Sequence, residues 1–523
     1  MIVDHEGRPL VRKDQRNYGR HGASHARKSL VSWQVSGLSA DDDITLNLDT
    51  LRARSRDLYM GTPLAAGALK TMRTNIIGSG LMLSSQPDAE LLRLTPEQAA
   101  EWKANTEREF ALWCAHCDAG RSLTFYQLQS LVLMSALMSG DCFVALPFIS
   151  RPESPYGLKV YVIESDRVCN PVHGYNGIDD VMEGVELGKY GEPVAYWIAK
   201  YHPYAVHSIK RGPQEWKRVT AFGARSGRRN ILHIMPDYER PGQRRGVPVL
   251  APVIEAFKQL GRYTDAELQA AVISGLFTGF VTTSGGDTLR GGYEDIGMPA
   301  VNPEKDAAFG NGTVSYLNEG ESISFASPGR PNSGFGGFVE AVCRQVGAAL
   351  EIPYELLVKN FTASYSASRA SLLEAWKMFR MRRQWIIDSF TQPVYEEWLA
   401  EAVALGRVPA PGFFEDHAVR RAWTRAEWSG DAQGQLDPLK EAQAAVVRID
   451  NGLSTREKEA AELTGLDINF IAGQLAKERE LLGLGGQADP AADAETAGDA
   501  GTDTDSNSED AADDSGDGEN VSE

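Results

Sequence analysis

The sequence is poor in cysteine and has no long uncharged apolar run. Five cysteines in 523 residues, an odd number, are typical of a chain with reduced thiols rather than of a disulfide framework. The longest uncharged stretches, 122–140 and 268–286, are interrupted by Ser, Gln, Gly and Thr, so neither predicts a membrane span. The first residues carry Asp4 and Glu6 with no apolar core after them, so we expect no secretory signal.

Motifs for catalysis and for cofactors are also missing. The nine histidines are scattered singly, and no zinc-protease, phosphate-loop, dinucleotide or serine-hydrolase motif occurs. Cys114 and Cys117 form a C-x-x-C pair, but a structural zinc site needs a second pair, and a redox site needs a βαβ setting. We interpret them as a buried pair, with a metal or redox site as the alternative. We therefore expect no enzyme, no cofactor and no metal.

Charge is present in quantity but is unevenly placed. The chain has 53 basic and 71 acidic residues, for a net charge of −18. Residues 487–523 hold 13 acidic and no basic side chains, which leaves −5 for the rest. Residues 1–40 hold seven basic and three acidic ones. The pattern predicts a flexible basic arm, a nearly neutral folded body and a disordered acidic tail, and it argues against a simple basic nucleic-acid binder.

The first half of the folded body reads as helices followed by short strands. Apolar periodicity predicts helices over 49–77, from Thr95-Pro96 and over 124–138. Five β-branched or aromatic runs then predict strands, namely CFVALPF (142–148), LKVYVIE (158–164), VMEGVEL (181–187), PVAYWIAKY (193–201) and ILHIM (231–235).

The second half reads as long helices around a Gly-rich segment. A helix runs to about residue 274, and residues 276–333 contain two strand-like runs, TVSYL (313–317) and SISFA (322–326). Further helices are predicted over 337–350, over 366–405 with a kink at Pro393, over 436–448, and over 455–482 with Ser454 as its cap. The fold class is α+β.

Two groups of side chains stand out as candidate contact residues. Lys377, Arg380 and Arg383 are spaced i, i+3, i+6 and therefore share one face of the long helix, with Arg369 and Arg382 nearby. Such a stripe can face phosphates or can pair with acidic residues of a neighbouring subunit. The polar run after Lys359, in a loop bounded by helices, either connects them or contacts a molecule that passes by.

Several stretches together resemble the lambda-type portal proteins of tailed bacteriophages. They are residues 51–81, MSGDCFVALPF (138–148), ESDRVCNP (164–171), residues 239–271 and YSASRASLLEAWKMFRMRRQW (365–385). The resemblance runs from about residue 15 to 484. It implies a portal fold with a mixed α/β wing, two long stem helices, a small β-containing clip, a kinked long helix and a helical crown.

The resemblance also implies a division of the chain. The expected segments are an N-terminal arm (1–40), wing (41–246), stem helix (247–275), clip (276–333), second stem helix (334–352), channel loop (353–366), kinked helix (367–405), wing return and crown (406–484) and acidic tail (485–523). The channel-loop residues expected to face DNA are Lys359, Asn360, Phe361 and Thr362. The stripe Arg369, Lys377, Arg380 and Arg383 is expected to contact DNA or the next subunit.

The function that the resemblance implies is structural. Portal proteins form a ring, typically of twelve copies, at one capsid vertex, through which double-stranded DNA is packaged and ejected. The implied partners are other copies of the chain, DNA, the terminase large subunit, head-completion or adaptor proteins, and the major capsid and scaffold proteins, without a membrane. The expected location is the virion vertex, and the host cytoplasm during assembly. The alternative is a scaffold or minor head protein without a DNA channel.

Overall fold

The part of the chain that the structure describes contains fourteen α-helices and eleven strands. The structure is a computed structural model, and it describes residues 28–30, 32–33, 35, 37–171, 181–205, 214–275, 279–283, 321–325, 334–361, 365–434, 438–464 and 468–482. Most of the basic arm and the clip, Thr362 and the acidic tail therefore lie outside the described residues. The chain divides into two units, Met1–Gly465 and Leu466–Glu523.

The helices account for most of the described residues. The helices of the first unit are α1 (Ala40–Gly61), α2 (Pro63–Ile76), α3 (Ala89–Leu92), α4 (Pro96–Cys114), α5 (Phe125–Ser139), α6 (Ile254–Gly275), α7 (Phe335–Ala349), α8 (Tyr354–Val358), α9 (Tyr365–Ile386), α10 (Gln392–Ala404), α11 (His417–Trp423), α12 (Pro438–Asp450) and α13 (Arg456–Thr464). In the second unit, α14 spans Ile468–Leu481.

The strands form four small antiparallel sheets. The strands are β1 (Met82–Ser85), β2 (Cys142–Ala145), β3 (Tyr161–Ile163), β4 (Val181–Met182), β5 (Val185–Leu187), β6 (Pro193–Ala199), β7 (Trp216–Thr220), β8 (Ile231–Ile234), β9 (Gly279–Thr283), β10 (Glu321–Phe325) and β11 (Ala426–Ser429). Their orders are β1-β11, β9-β10, β3-β2-β8 and β4-β5-β6-β7. The α+β class predicted from the sequence is confirmed.

Local signals explain where several helices begin. The side chains of Thr95 and Thr124 each accept a hydrogen bond from the backbone N–H of the residue three positions later. That residue is a glutamine, and its side chain accepts the backbone N–H of the threonine in return. Both helix starts are therefore capping boxes. The predicted helix over 49–77 is in fact two helices, because Pro63 has no N–H to continue α1 and instead starts α2. The cap predicted at Ser454 is wrong by one residue, since Thr455 Oγ1 accepts the Lys458 N–H at 3.2 Å.

Two other sequence predictions change in detail. The run at 181–187 is a tight hairpin rather than one strand, because Glu183 and Gly184 have φ of 50° and 75° and turn β4 into β5. The long helix predicted over 366–405 contains a π-helical turn, Ile387–Thr391, just before Pro393, and this turn joins α9 to α10. The kink predicted there stays a prediction. Pro393 cannot donate to the carbonyl four residues earlier, so the preceding turn widens.

Two hydrophobic cores hold the first unit together. The larger one centres on Phe110, whose ring lies 4.9 Å from that of Trp398 and 5.6 Å from those of Phe125 and Tyr395, and so joins α4, α5 and α10. The smaller one lies between the three- and four-stranded sheets, where Phe143 packs on Tyr196 at 5.4 Å. The smaller core makes the two sheets one body, on which the surfaces below are displayed.

Candidate functional site

The predicted channel loop begins as a short helix. α8 occupies residues 354–358 and ends at Lys359, which takes a left-handed conformation with φ of 56°. The Asn360 N–H then donates to the Glu355 carbonyl at 3.0 Å, which closes the helix end. The side chains of Lys359, Asn360 and Phe361 are exposed, and half of the Phe361 surface is accessible. Thr362, the fourth predicted loop residue, lies outside the described part.

The basic stripe on α9 divides into side chains with different environments. Lys377 is exposed and pairs with Glu374 at 2.6 Å on the same helix. Arg380 is exposed, and Arg369 is half-buried. Arg383 instead turns inward, donating to the backbone carbonyls of Asn75, Ile76 and Asp431 at 2.9–3.0 Å.

Arg383 is therefore a structural residue that fixes the end of α2 against α9. The last carbonyls of a helix have no partner within the helix, and a guanidinium supplies the missing donors. Burial lowers the pKa of Arg383. Arg382, next to it, is also buried and lies 3.3 Å from Asp237 and 4.0 Å from Glu351. The periodic spacing placed these arginines on α9 but did not show which of them face inward.

A buried ionic cluster that the sequence did not indicate joins α1, β8 and the loop before α6. Asp141 is fully buried and accepts hydrogen bonds from Arg52 at 3.0 Å and from Arg245 at 2.7 Å. His233 Nε2 lies 3.2 Å from the same carboxylate. Burial penalises the Asp141 charge, but Arg245 and Arg52 outweigh that penalty and hold its pKa well below the usual range.

Two further ion pairs hold the loop that leads into α6. Arg240 and Arg244 of this loop pair with Asp43 and Asp41 in the first turn of α1. Close by, the backbones of Gly140 and Gly246 touch, so that a Cβ on Gly246 would lie 1.8 Å from the Gly140 carbonyl oxygen. The only sequence signals for this anchor were the turn-rich run RPGQRRGVP and the isolated Asp141 between two apolar segments.

One cluster has the composition of a metal site but not the chemistry. Ligand atoms of Glu164, Asp166 and His202 lie within 4.8 Å of one another. However, Arg56 already pairs with both carboxylates. His202 Nδ1 accepts the Tyr204 N–H at 3.1 Å, so in the neutral ring Nε2 carries the proton and has no lone pair for a metal. The cluster is an ion-pair network, and among the described residues no other group has this composition.

The cysteine pair is buried and protonated. Cys114 and Cys117 lie at the end of α4, and the Cys117 Sγ donates to the Cys114 carbonyl at 3.4 Å. Burial raises the pKa of Cys117 to about 12 and that of Cys114 well above its ordinary value. Thiols in this state are poor nucleophiles and poor metal ligands, which agrees with the interpretation of a buried structural pair.

Comparisons with known proteins agree along nearly the whole chain. The family model described as phage portal protein, lambda family, matches residues 26–383. Portal protein B of Escherichia phage lambda is 27% identical over 485 residues, which cover 88% of this chain and 89% of that protein. The portal protein of Escherichia phage N15 is 27% identical over 508 residues, which cover 91% and 92%.

Solved structures of gene transfer agent (GTA) particles also resemble the chain. A chain from the neck of an empty GTA particle, computed with C6 symmetry, has a TM-score of 0.48 and 13% identity over 82% of this chain and 94% of its own. A chain from a native GTA virion has a TM-score of 0.44 and 14% identity over 82% and 94%. Among the described helices, none is long and apolar enough to cross a membrane.

Proposed function

The chain belongs to the lambda family of phage portal proteins, and we propose that twelve copies form a ring at one capsid vertex through which double-stranded DNA is packaged and ejected. The observation that carries this proposal is the family match over residues 26–383, extended by relatives that align with about nine-tenths of the chain. A portal protein is a structural part of the virion rather than an enzyme, so the sequence prediction of a non-enzymatic protein is confirmed.

The partners follow from the position at the vertex. The ring would receive the terminase large subunit during packaging and the head-completion or adaptor proteins afterwards. The major capsid and scaffold proteins would surround it during assembly in the host cytoplasm. Exposed apolar side chains on the stem support self-association. Leu268 and Val272 on α6 are 65% and 58% exposed, and Phe338 on α7 is 50% exposed. Exposed apolar side chains of this kind are typical of surfaces that contact another protein.

The DNA path is proposed to be lined by the channel loop rather than by the α9 stripe. Lys359, Asn360, Phe361 and Thr362 follow the end of α8, and the first three are exposed. The stripe is less suited to DNA, because Arg383 is used within the chain and Lys377 is paired with Glu374. We assign Arg369, Lys377 and Arg380 to contacts with the neighbouring subunit. A channel with few free cations lets DNA slide, since each phosphate contact adds affinity.

The ring itself is tested by the mass of the assembled protein. Twelve copies of a 57.1 kDa chain weigh about 685 kDa. Mass photometry together with negative-stain images should give this mass and a central hole. A chain that stays monomeric, or a multimer without a hole, would exclude the ring and favour a minor head protein without a channel.

The loop assignment is tested by two substitutions that are compatible with the backbone conformation. Lys359 has a φ of 56°, which glycine adopts without strain, so Lys359→Gly removes the charge and relieves the backbone, whereas alanine would keep the strain of about 1 kcal/mol that the lysine already carries. Lys359→Gly and Phe361→Ala should leave ring assembly unchanged and lower the amount of DNA packaged or retained. The matched control is Phe414→Ala, another exposed aromatic. Loss of assembly in the loop variants would show that the loop is structural.

A further inference from the structure

The two-stranded sheet has one open edge, on β11. In the part of the chain that the structure describes, β11 pairs only with β1. The Gln86 N–H donates to the Arg425 carbonyl at 3.0 Å, and this bond sets the phase of the antiparallel ladder. Every second residue of β11 therefore bonds to β1, while the backbone groups of Ala426 and Trp428 point away from it. These two residues offer the donors and acceptors on which a further strand can form.

The opposite edge of the same sheet is already covered. Ser85 of β1 donates its backbone N–H to the Glu107 carboxylate of α4 at 2.9 Å. Proteins commonly close a sheet edge in this way, because unpaired backbone groups invite pairing with another chain. The edge of β11 opens instead into a groove, so β11 is the side at which the sheet can be extended.

The groove along β11 consists of two cavities that meet at Ala426. The first has a volume of about 370 Å³, lies between β11 and α9, and is lined in part by Trp376 and Ile387. The second has a volume of about 850 Å³ and contains the half-exposed side chain of Leu91. All four residues of β11 line the first cavity. Since successive side chains of a strand point to opposite faces, this cavity runs along the edge of the sheet.

The charges that line the groove balance one another. Five arginines line the two cavities, among them Arg380 and Arg421, and so do five carboxylates, among them Glu396 and Glu427. His417, the other titratable side chain of the lining, is exposed. Such a wall has no net attraction for the phosphates of DNA or for a strongly acidic peptide. It suits an uncharged extended segment, which backbone hydrogen bonds and alternate side chains hold in place.

The chain has an uncharged segment with the pattern of a strand shortly before α1. In SLVSWQV (29–35), here called the arm segment, Val31, Trp33 and Val35 alternate with polar residues. This period of two is typical of a strand, and the segment carries no charged side chain. The arm segment therefore has the chemistry that the groove requires.

The arm segment of a chain does not fill that chain's own groove. Trp33 and Val35 are 68% and 78% exposed, and neither lines the two cavities. The Leu38 carbonyl, which accepts a hydrogen bond from Arg240 at 2.9 Å, fixes the chain just before α1. The five residues from there to Trp33 span at most about 18 Å. In a ring each copy carries both the groove and the arm segment, and two such surfaces on one chain give a head-to-tail contact.

We propose that the arm segment of each copy adds to β11 of the next copy as a third strand. The proposal rests on the proposed ring, and it gives the N-terminal arm a function in joining neighbouring subunits. Buried aromatic residues dominate interface energetics, so Trp33→Ala should raise the concentration for half-assembly by about tenfold or more. Gln34→Ala, at the alternate position of the same segment, serves as the matched control and should assemble like the parent.

The open edge is tested by removing one of its donors. The Ala426 N–H points away from β1, so Ala426→Pro leaves the bonds to β1 in place and blocks a further strand. It should raise the concentration for half-assembly by about tenfold and leave the thermal midpoint of the unassembled chain unchanged. Ala426→Ser keeps the N–H and should assemble like the parent.

The origin of the added strand is tested by cross-linking between two chains. Both carry Cys169→Ser, which removes the half-buried thiol, and the remaining native cysteines are buried. One chain carries Val35→Cys and the other Glu427→Cys, and the two are co-expressed. A short bismaleimide should join them into a covalent dimer with one chain of each kind. A control with Tyr190→Cys, an exposed position, in place of Val35→Cys should give no dimer.

The outcomes separate this contact from the ring. Absence of the species of about 685 kDa in the parent protein would overturn the proposed ring itself. A normal ring without covalent dimers above the control would overturn only the arm contact. Val35→Cys and Glu427→Cys placed together in one chain give a further measurement. A link within that chain, with no dimers from the co-expressed pair, would assign the groove to the chain's own arm and would also overturn the contact between copies.

Discussion

Asp141 illustrates how one buried charge fixes the geometry of a junction. Its carboxylate is held by Arg52 from α1, by Arg245 from the loop before α6, and by His233 from β8. Charges that are buried together must all be paired, because each is costly when left alone. The cluster therefore positions three elements relative to one another.

Removing the Asp141 charge is expected to destabilise the contact between α1, β8 and the loop before α6. Asp141→Asn would leave two buried guanidinium groups without a counter-ion and should cost about 3–5 kcal/mol. The free energy of unfolding, or the shift of the thermal midpoint, measures this. Glu374→Gln, which breaks an exposed ion pair with Lys377, serves as the control and should cost less than about 1 kcal/mol. An unchanged midpoint in Asp141→Asn would show that the cluster does not carry stability.

His233 makes the stability of this region depend on pH. Burial lowers its pKa below the ordinary value of 6.5, despite the neighbouring Asp141. Between the two pKa values the unfolded chain binds a proton that the folded chain does not, so stability falls as the pH falls below about 6.5. The Asp141 contribution is lost only below its ordinary pKa of 3.8, in a separate range.

The corresponding variant is His233→Gln. It should flatten the dependence of the thermal midpoint on pH between 6.5 and 5, whatever its effect on the midpoint at pH 7.5. Midpoints measured at several pH values in both proteins check this. An equal slope in the two proteins would assign the pH dependence to other groups.

At the scale of the element, α9 shows that one periodic pattern can serve several purposes. The i, i+3, i+6 spacing correctly placed three cations along one helix. Their roles depend on what lies opposite, which is solvent for Lys377 and Arg380 but the end of α2 for Arg383. No local signal encodes that difference, because the partner carbonyls are about 300 residues away along the chain.

Two substitutions on α9 compare the contribution of Arg383 to stability with that of Lys377. Arg383→Ala removes the donors of three backbone carbonyls, two of them part-buried, and should destabilise the protein by about 1–3 kcal/mol. Lys377→Ala should change the stability by less than about 1 kcal/mol. Chemical denaturation of both variants gives the comparison. Equal and small effects would mean that Arg383 is not needed to fix α2 against α9.

At the scale of the whole molecule, the distribution of charge matters more than its sum. The net charge of −18 becomes −5 when residues 487–523 are left out. In the proposed ring, a nearly neutral body would limit phosphate contacts with DNA, and an acidic tail would repel the duplex.

Deleting residues 487–523 should therefore increase non-specific DNA binding by the assembled protein. The expected gain is largest at low salt, because it arises from long-range repulsion that salt screens. Fluorescence anisotropy with a labelled duplex at 50 and 200 mM salt measures the affinity for DNA. Replacing the tail acids by Asn and Gln removes the charge at equal length and should give the same gain as the deletion. Identical affinities of the parent protein and the deletion variant would show that the tail does not influence DNA binding.

The sequence by itself determined the class and most helices, because apolar periodicity, proline and capping residues act over a few residues. It indicated the family through the resemblance of several stretches to portal proteins. Thr95 and Thr124 marked helix starts that the structure confirms, and Pro393 marked the place where a π-helical turn interrupts the long helix. The tertiary structure decided what each side chain faces, as in the pairing of Arg52 and Arg245 with Asp141 and the inward turn of Arg383. These depend on contacts between residues distant in sequence, and such contacts form only when the elements pack.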